Sequence, residues 1–188
     1  MTEKMTYINR KGQAYFFRTV SGRRGTQIVC SQKKTADDLA AIPDTHEIVE
    51  LPNGQVSCRI KIKYDLLPEE IALAKELCPK LVKPKVLTFV EVKKKALIIH
   101  SKETSKLDRI VERLPVRSGV DLSVLADNIP FEPMMKLELY DKKFRTFMVY
   151  RMCFMGETEW MPLDDGPLET LLRDYVYHIG QENFYELF

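Results

Sequence analysis

Apolar and polar residues alternate over the first part of the chain, in a pattern that predicts a β-hairpin. Segments 13–20 and 26–31 are rich in aromatic and β-branched residues, and segment 21–25 between them contains two glycines. Glycines permit the backbone conformations that a tight turn requires. Arg23 and Arg24 lie in this turn, so we expect a hairpin with a basic tip.

A second hairpin is predicted over residues 46–63. Segments 46–51 and 56–63 flank Pro52-Asn53-Gly54-Gln55, and Asn-Gly between alternating strands favours a two-residue hairpin turn. In the return strand, the apolar residues Val56, Cys58, Ile60 and Ile62 alternate with Ser, Arg and Lys residues. We expect one face of this sheet to be buried and the other to be exposed.

Capping residues and helical spacing predict helices after each hairpin. Residues 35–41 begin with a Thr and early acids, which favours one or two helical turns before Pro43. Residues 65–78 have Pro and acids in the first turn and apolar residues at helical spacing, so a longer helix is expected to end near Pro79.

The residue pattern of the second half of the chain predicts two hairpins, each followed by a helix. The hairpins are expected at 86–92 with 96–100 and at 134–140 with 145–154; helices are expected at about 104–114 and from Pro167, with a short one at 121–127. Gly180 is expected to end the last helix, and the aromatic residues after it favour an ordered, docked end.

These elements predict an α+β fold with a β-hairpin-rich N-terminal lobe and a ββαββα-like C-terminal lobe. The expected division is a β-rich lobe over 1–64, a helical connector over 65–84 and an α+β lobe over 85–188. Pro79 and Pro84 bracket the segment where we expect the domain boundary.

Composition is typical of a folded, cytoplasmic protein. Apolar residues make up 45% and charged residues 30% of the chain, and no apolar run is long enough for a membrane helix or an export signal. The four cysteines are widely spaced, which indicates reduced thiols rather than a disulfide framework.

The net charge of +2 conceals an uneven distribution. Residues 1–34 carry eight Lys or Arg and one acid, whereas residues 155–188 carry eight acids and one Arg. The two ends of the chain are therefore of opposite charge, and complementary charged surfaces steer association.

No catalytic, metal or cofactor motif is present. The cysteines and the three histidines lack the spacing of a zinc site, and no phosphate loop, Gly-x-Ser-x-Gly or His-Glu-x-x-His occurs. The sequence predicts no metal, no cofactor and no catalytic residue. It leaves open an enzyme whose site assembles from distant residues.

The basic N-terminal hairpin is the candidate binding site. Its cations and aromatic residues together suit single-stranded nucleic acid, through phosphate contacts and base stacking; the candidate residues are Arg10, Lys11, Tyr15, Phe17, Arg18, Arg23 and Arg24. Alternating aromatic residues in a small strand also commonly form its core, so a structural role for them stays open.

The sequence favours a non-enzymatic interaction protein over these alternatives. A basic hairpin and an acidic C-terminal region can dock on one another, within a chain or between two chains, or on a protein partner. The alternatives are a single-stranded nucleic-acid-binding protein and an enzyme with a site that the sequence does not reveal.

Three segments resemble uncharacterised bacterial proteins with no assigned function. The first is residues 43–56 with the Pro-Asn-Gly-Gln turn, the second is residues 151–154 with Gly156 and Trp160, and the third is residues 166–185. The resemblance implies a bacterial, cytoplasmic protein and supplies no activity.

Overall fold

The computed structural model divides the chain into two compact units, unit 1 (Met1–Lys63) and unit 2 (Tyr64–Phe188). The structure describes residues 4–23, 25–104, 129–153 and 159–187. These residues form ten strands and two α-helices, so the predicted α+β class is confirmed.

The strands of unit 1 are β1 (Tyr7–Ile8), β2 (Ala14–Gly22), β3 (Gly25–Ser31), β4 (His46–Glu50) and β5 (Val56–Ile60). Unit 2 contains α1 (Pro68–Leu81), β6 (Val86–Val92), β7 (Ala96–Glu103), β8 (Glu132–Asp141), β9 (Thr146–Cys153), β10 (Glu159–Pro167) and α2 (Leu168–Tyr175). Short 3₁₀ helices follow at Val176–His178 and Glu182–Glu186.

Both predicted hairpins of unit 1 are confirmed. Strand β2 pairs with β1 and β3 in an antiparallel sheet, and β4 pairs with β5 in a second one. Gly54, in the turn between β4 and β5, has a φ of +85°, a conformation that only glycine adopts at little cost.

The core of unit 1 lies between its two sheets. Tyr15, Phe17 and Val56 are buried there, and the Cys30 thiol of β3 donates a hydrogen bond to the Val56 carbonyl at 2.8 Å. The apolar face predicted for β5 is buried at its first positions only, since Ile60 is 69% exposed.

The helical turns predicted over residues 35–41 are wrong. The segment forms a turn and a β-bridge between Asp38 and Arg18. The Asp38 carboxylate accepts hydrogen bonds from the Thr35 amide and hydroxyl, and the Leu39 amide donates to the Phe17 carbonyl at 2.7 Å. Asp and Thr side chains compete with helical bonds in this way.

Unit 2 is built on a five-stranded antiparallel sheet in the order β10-β9-β8-β7-β6. The hairpins predicted for β6 with β7 and for β8 with β9 are confirmed. Alternate residues of the sheet join one hydrophobic cluster with both helices; those from the sheet include Val90, Leu97, Ile99, Met135, Leu137, Leu139, Phe147 and Val149.

Helix α1 belongs to unit 2, although the sequence suggested a connector over residues 65–84. Its buried residues Ala74, Leu77 and Cys78 lie in the cluster of unit 2. Pro79 lies inside the last turn of α1 instead of ending it, because a proline there removes only one backbone donor near the helix end. The helices predicted at 104–114 and 121–127 fall outside the described residues.

Strand β10 was not predicted from the sequence. It contains Pro162 and the run Asp164-Asp165-Gly166-Pro167, all of which are typical of loops. Because β10 lies at the sheet edge, a proline there costs no interior hydrogen bond. The sequence predicts the order ββα twice for the second half, and this order lacks β10, which lies between β9 and α2.

The aromatic C-terminal segment docks on unit 2, as predicted. Phe184 is buried in the cluster, and the buried Arg151 of β9 donates from Nε to the Leu187 carbonyl at 2.8 Å. Gly180 precedes this segment with a φ of +79°.

Gly180→Ala is expected to destabilise unit 2. A Cβ at this position would lie 2.7 Å from Cγ2 of Val86, and a left-handed backbone is costly for alanine, so the loss is about 2–4 kcal/mol. Urea unfolding followed by the fluorescence of Trp160, the one Trp of the chain, measures it.

Gly166→Ala is the control for this measurement. Gly166 does not have a positive φ, and a Cβ added to it would lie 3.9 Å from its nearest neighbour, Cδ2 of Leu171. Its unfolding free energy is expected within about 0.5 kcal/mol of the wild type. Equal stability of Gly180→Ala and Gly166→Ala would contradict the packing described for Gly180.

Candidate functional site

The two aromatic residues that the sequence placed in the binding site are core residues. Tyr15 is 9% exposed and Phe17 is fully buried. They have the same parity on β2, so both point toward the core of unit 1. A base cannot stack on Phe17 unless this core opens, so these two residues are corrected from binding to packing.

Arg10 and Lys11 lie against the second hairpin. Arg10 forms an ion pair with Glu50 at 3.2 Å and donates to the Leu51 carbonyl at 2.8 Å. Burial lowers the pKa of Arg10, an effect that the charge of Glu50 opposes. The side chain of Lys11 lies across Gly54. Both cations therefore have a packing role between the hairpins.

Glu50 also fixes the first strand. It accepts a hydrogen bond from the Tyr7 hydroxyl at 3.1 Å. Burial and this bond raise the pKa of Tyr7. The cation of Arg10 is thus one member of a small network that joins β1 to β4.

Arg18 lies on β2 next to the Asp38 turn. The Asp38 carboxylate accepts hydrogen bonds of 2.6 Å and 2.9 Å from the Thr35 amide and hydroxyl. These bonds lower the pKa of Asp38, and the positive charges of Arg18 and Lys4 lower it further. The positive charge of Arg18 is therefore partly matched by a nearby carboxylate.

The hairpin beyond Arg18 is an exposed two-stranded arm. We call residues 19–27 the basic arm. All of them are exposed apart from Arg24, which is outside the described residues. A shallow depression of about 310 Å³ lies on one face, lined by Val20, Gly22, Arg23, Gly25, Gln27 and Val29. Arg23 is exposed at the tip and forms no ion pair with the described residues.

One aromatic residue does lie on the outer face of this hairpin. Phe16 is half-buried, and the Lys34 ammonium lies 5.7 Å from the centre of its ring. Its position between Tyr15 and Phe17 is the signal that identifies it, because neighbouring residues in a strand point to opposite faces.

The acidic C-terminal region forms a surface on unit 2. We call Asp164, Asp165, Glu169 and Asp174 the acidic surface; all four are exposed. The Tyr175 hydroxyl donates to Asp164 at 3.0 Å. Burial, this bond and the charges of Asp164 and Asp174 raise the pKa of Tyr175. Only Glu169 of the four is held by a cation in an ion pair among the described residues, at 2.7 Å from Arg173.

Burial keeps three of the four cysteines, Cys30, Cys58 and Cys78, in the protonated thiol form. Burial raises the pKa of the Cys78 thiol to about 12, and burial also raises the pKa of Cys30 and Cys58. A protonated thiol is neither a good nucleophile nor a metal ligand. Among the residues that the structure describes, no three His, Cys, Asp or Glu side chains converge as a metal site requires.

Trp160 and His178 both have contacts within unit 2. Trp160 is half-buried on β10 opposite Met152. His178 ends the first 3₁₀ helix, where its Nδ1 lies 3.3 Å from the Asn183 side-chain oxygen.

Asp38→Asn is expected to weaken unit 1 in a pH-dependent manner. Because folding lowers the pKa of Asp38, its stabilising effect is complete above the ordinary carboxyl pKa of about 4 and decreases as the pH falls from there through the lowered pKa of the folded state. Urea titrations followed by the amide NMR signals of unit 1 are expected to show a lower midpoint for the variant at pH 7 and a smaller difference as the pH falls below about 4.

Asp37→Asn is the control, since the exposed side chain of Asp37 makes none of these hydrogen bonds. A loss of stability at pH 7 that is equal for Asp37→Asn and Asp38→Asn would contradict the role given to the Thr35–Asp38 turn.

Comparison with known proteins gives no relative: no family model, curated protein or solved structure matches the chain. Within the described residues, no helix combines the length and the apolar character that crossing a membrane requires.

Proposed function

We propose that this protein is a non-enzymatic interaction protein that binds through complementary charged surfaces. The basic arm of one copy docks on the acidic surface of another copy. The observation that carries the proposal is the exposed tip of the arm, where Arg23 forms no ion pair with the described residues.

The acidic surface has the matching property. Asp165 and Asp174 are exposed, and neither forms an ion pair with the described residues. Opposite charges on two exposed surfaces accelerate encounter and select the orientation of binding more than they add affinity. Association of this kind weakens as salt screens the charges.

The two surfaces differ from one another, so the contact is heterologous. A heterologous contact joins copies head to tail and produces a ring if the rotation closes, or an open chain if it does not. Each copy uses its arm once and its acidic surface once. The size of the assembly therefore depends on protein concentration.

Charge reversal at the tip of the arm is expected to abolish association. In low salt, light scattering should give a mass above that of one chain for the wild type, and the mass of one chain for Arg23→Glu/Arg24→Glu. Each close pair of like charges opposes docking, so the association constant should fall at least about tenfold.

Lys61→Glu/Lys63→Glu is the matched control. Both lysines are exposed in unit 1 outside the arm, and the net charge changes by the same amount. This variant should associate as the wild type does.

A mixing experiment identifies the second surface. Asp165→Lys/Asp174→Lys alone should also have the mass of one chain, whereas its mixture with Arg23→Glu/Arg24→Glu should form a complex, because the reversed arm now faces a reversed surface. A wild type that stays at the mass of one chain in low salt would contradict the proposal. So would an arm variant that associates as well as the wild type.

A further inference from the structure

The turn between β8 and β9 exposes two aromatic side chains. Tyr140 is 76% and Phe144 is 72% exposed. They are the most exposed of the large hydrophobic residues among those described. Large aromatic residues this exposed on a folded surface commonly mark a binding site.

Side-chain hydrogen bonds order the turn. The Asp141 carboxylate accepts hydrogen bonds from the amides of Lys143 and Phe144 at 2.7 Å and 2.9 Å. Arg145 follows with a φ of 53°, and its Nε and Nη2 groups donate hydrogen bonds to the two carboxylate oxygens of Glu70 at the start of α1. Two exposed rings on an ordered turn lose little conformational entropy when they bind a ligand.

Five lysines lie in two turns at the same end of the sheet, where β6 is joined to β7 and β8 is joined to β9. Lys142 and Lys143 are in the β8–β9 turn, and Lys93, Lys94 and Lys95 form the neighbouring β6–β7 turn. The Leu139 amide donates to the Lys95 carbonyl at 2.8 Å, and the two turns are also joined through Asp65. We call these five lysines with Tyr140 and Phe144 the aromatic–lysine edge.

Acids at this edge lie beneath the lysines. In the ion pairs of Lys93 with Glu91, Lys95 with Glu138 and Lys142 with Asp65, the lysine side chains are 49–65% exposed and the acids 17–21%. A ligand that approaches the edge therefore meets ammonium groups first. Pairs this exposed contribute roughly 0–1 kcal/mol, so an incoming phosphate can replace the acid.

Lys94 and Lys143 add charge that is not matched by ion pairs with described residues. The Lys143 ammonium lies 5.1 Å from the centre of the Phe144 ring. A cation thus stands next to an exposed aromatic face, and this combination suits a base together with its phosphate.

We propose that the aromatic–lysine edge binds single-stranded nucleic acid, with bases stacked on Tyr140 and Phe144 and phosphates held by the lysines. Duplexes are poor ligands because their bases are already stacked inside the helix. The proposal is independent of the function proposed for the basic arm. The sequence suggested nucleic-acid binding at the N-terminal hairpin, where Tyr15 and Phe17 are buried, whereas Tyr140 and Phe144 of the edge are exposed.

The test is fluorescence anisotropy with fluorescein-labelled dT and U 12-mers in low salt. Tyr140→Ala/Phe144→Ala should weaken binding at least about tenfold, because two stacking faces are lost. Tyr140→Phe/Phe144→Tyr keeps both rings and should bind as the wild type does. Circular dichroism verifies that each variant is folded.

Tyr177→Ala/Tyr185→Ala is the matched aromatic control, since both tyrosines are 52% exposed elsewhere on unit 2. It should bind normally. Lys94→Glu/Lys143→Glu should weaken binding and reduce the salt slope by about 1.4, the value for two lost phosphate contacts on a single strand.

Three outcomes would overturn the proposal. The first is wild-type binding by Tyr140→Ala/Phe144→Ala. The second is loss of binding in Arg23→Glu/Arg24→Glu while the edge variants still bind, which would assign the nucleic acid to the basic arm. The third is no binding of either oligonucleotide in low salt, which would leave the edge to a protein partner.

Discussion

Alternation of side chains along each strand is the constraint on which both units depend. Each sheet covers one face with apolar residues, so every second residue of a strand is committed to the core. In unit 1 this commits Tyr15 and Phe17. In unit 2 it commits Leu137 and Val149, which face one another across β8 and β9. The residues left for binding are those of the opposite parity and those in turns.

Turns supply two of the three charged surfaces, whereas the acidic surface lies on β10 and α2. The basic arm ends in the Arg23 turn, and the aromatic–lysine edge consists of two neighbouring turns. Hydrogen bonds within the turns fix their shape, as Asp141 does between β8 and β9. Ordered turns on a packed sheet can present charge and aromatic area without a pocket, which suits binding to surfaces and polymers more than catalysis on a small molecule.

Charge is arranged at two levels. Over the whole chain, cations are concentrated near the N-terminal end and acids near the C-terminal end. Locally, acids lie beneath cations, as Glu138 does beneath Lys95 at 2.6 Å. The hydrogen bonds from Lys136 and Lys95 lower the pKa of Glu138, so it stays ionised and holds both ammonium groups in place. Such pairs add little stability but fix where positive charge is displayed.

The sequence was sufficient for elements with strong local signals. Asn53-Gly54 specifies the second hairpin, and Pro68 with early acids specifies the start of α1. The sequence was insufficient where tertiary contacts decide which secondary structure a segment adopts. Pro162 is acceptable in β10 only because that strand is at the edge. The turn at Thr35 replaces a helix because the Leu39 amide has a partner on β2.

The candidate site shows the same limit. Arg23 and the acidic residues were identifiable from charge alone, since charged side chains at turns and helix surfaces are seldom buried. The alternation on β2 does not by itself say which face is buried, so Tyr15 and Phe17 were as plausible for binding as Phe16. Only the packing of β5 against that face decides it, through Val56.

Hydroxyl-radical footprinting read by mass spectrometry tests the central claim most directly, because it measures which aromatic side chains water reaches. The account predicts rapid oxidation of Tyr140 and Phe144 and strong protection of Tyr15 and Phe17 in the native protein, with the protection lost in urea. Rapid oxidation of Phe17 in the native state, or protection of Tyr140 and Phe144, would contradict it.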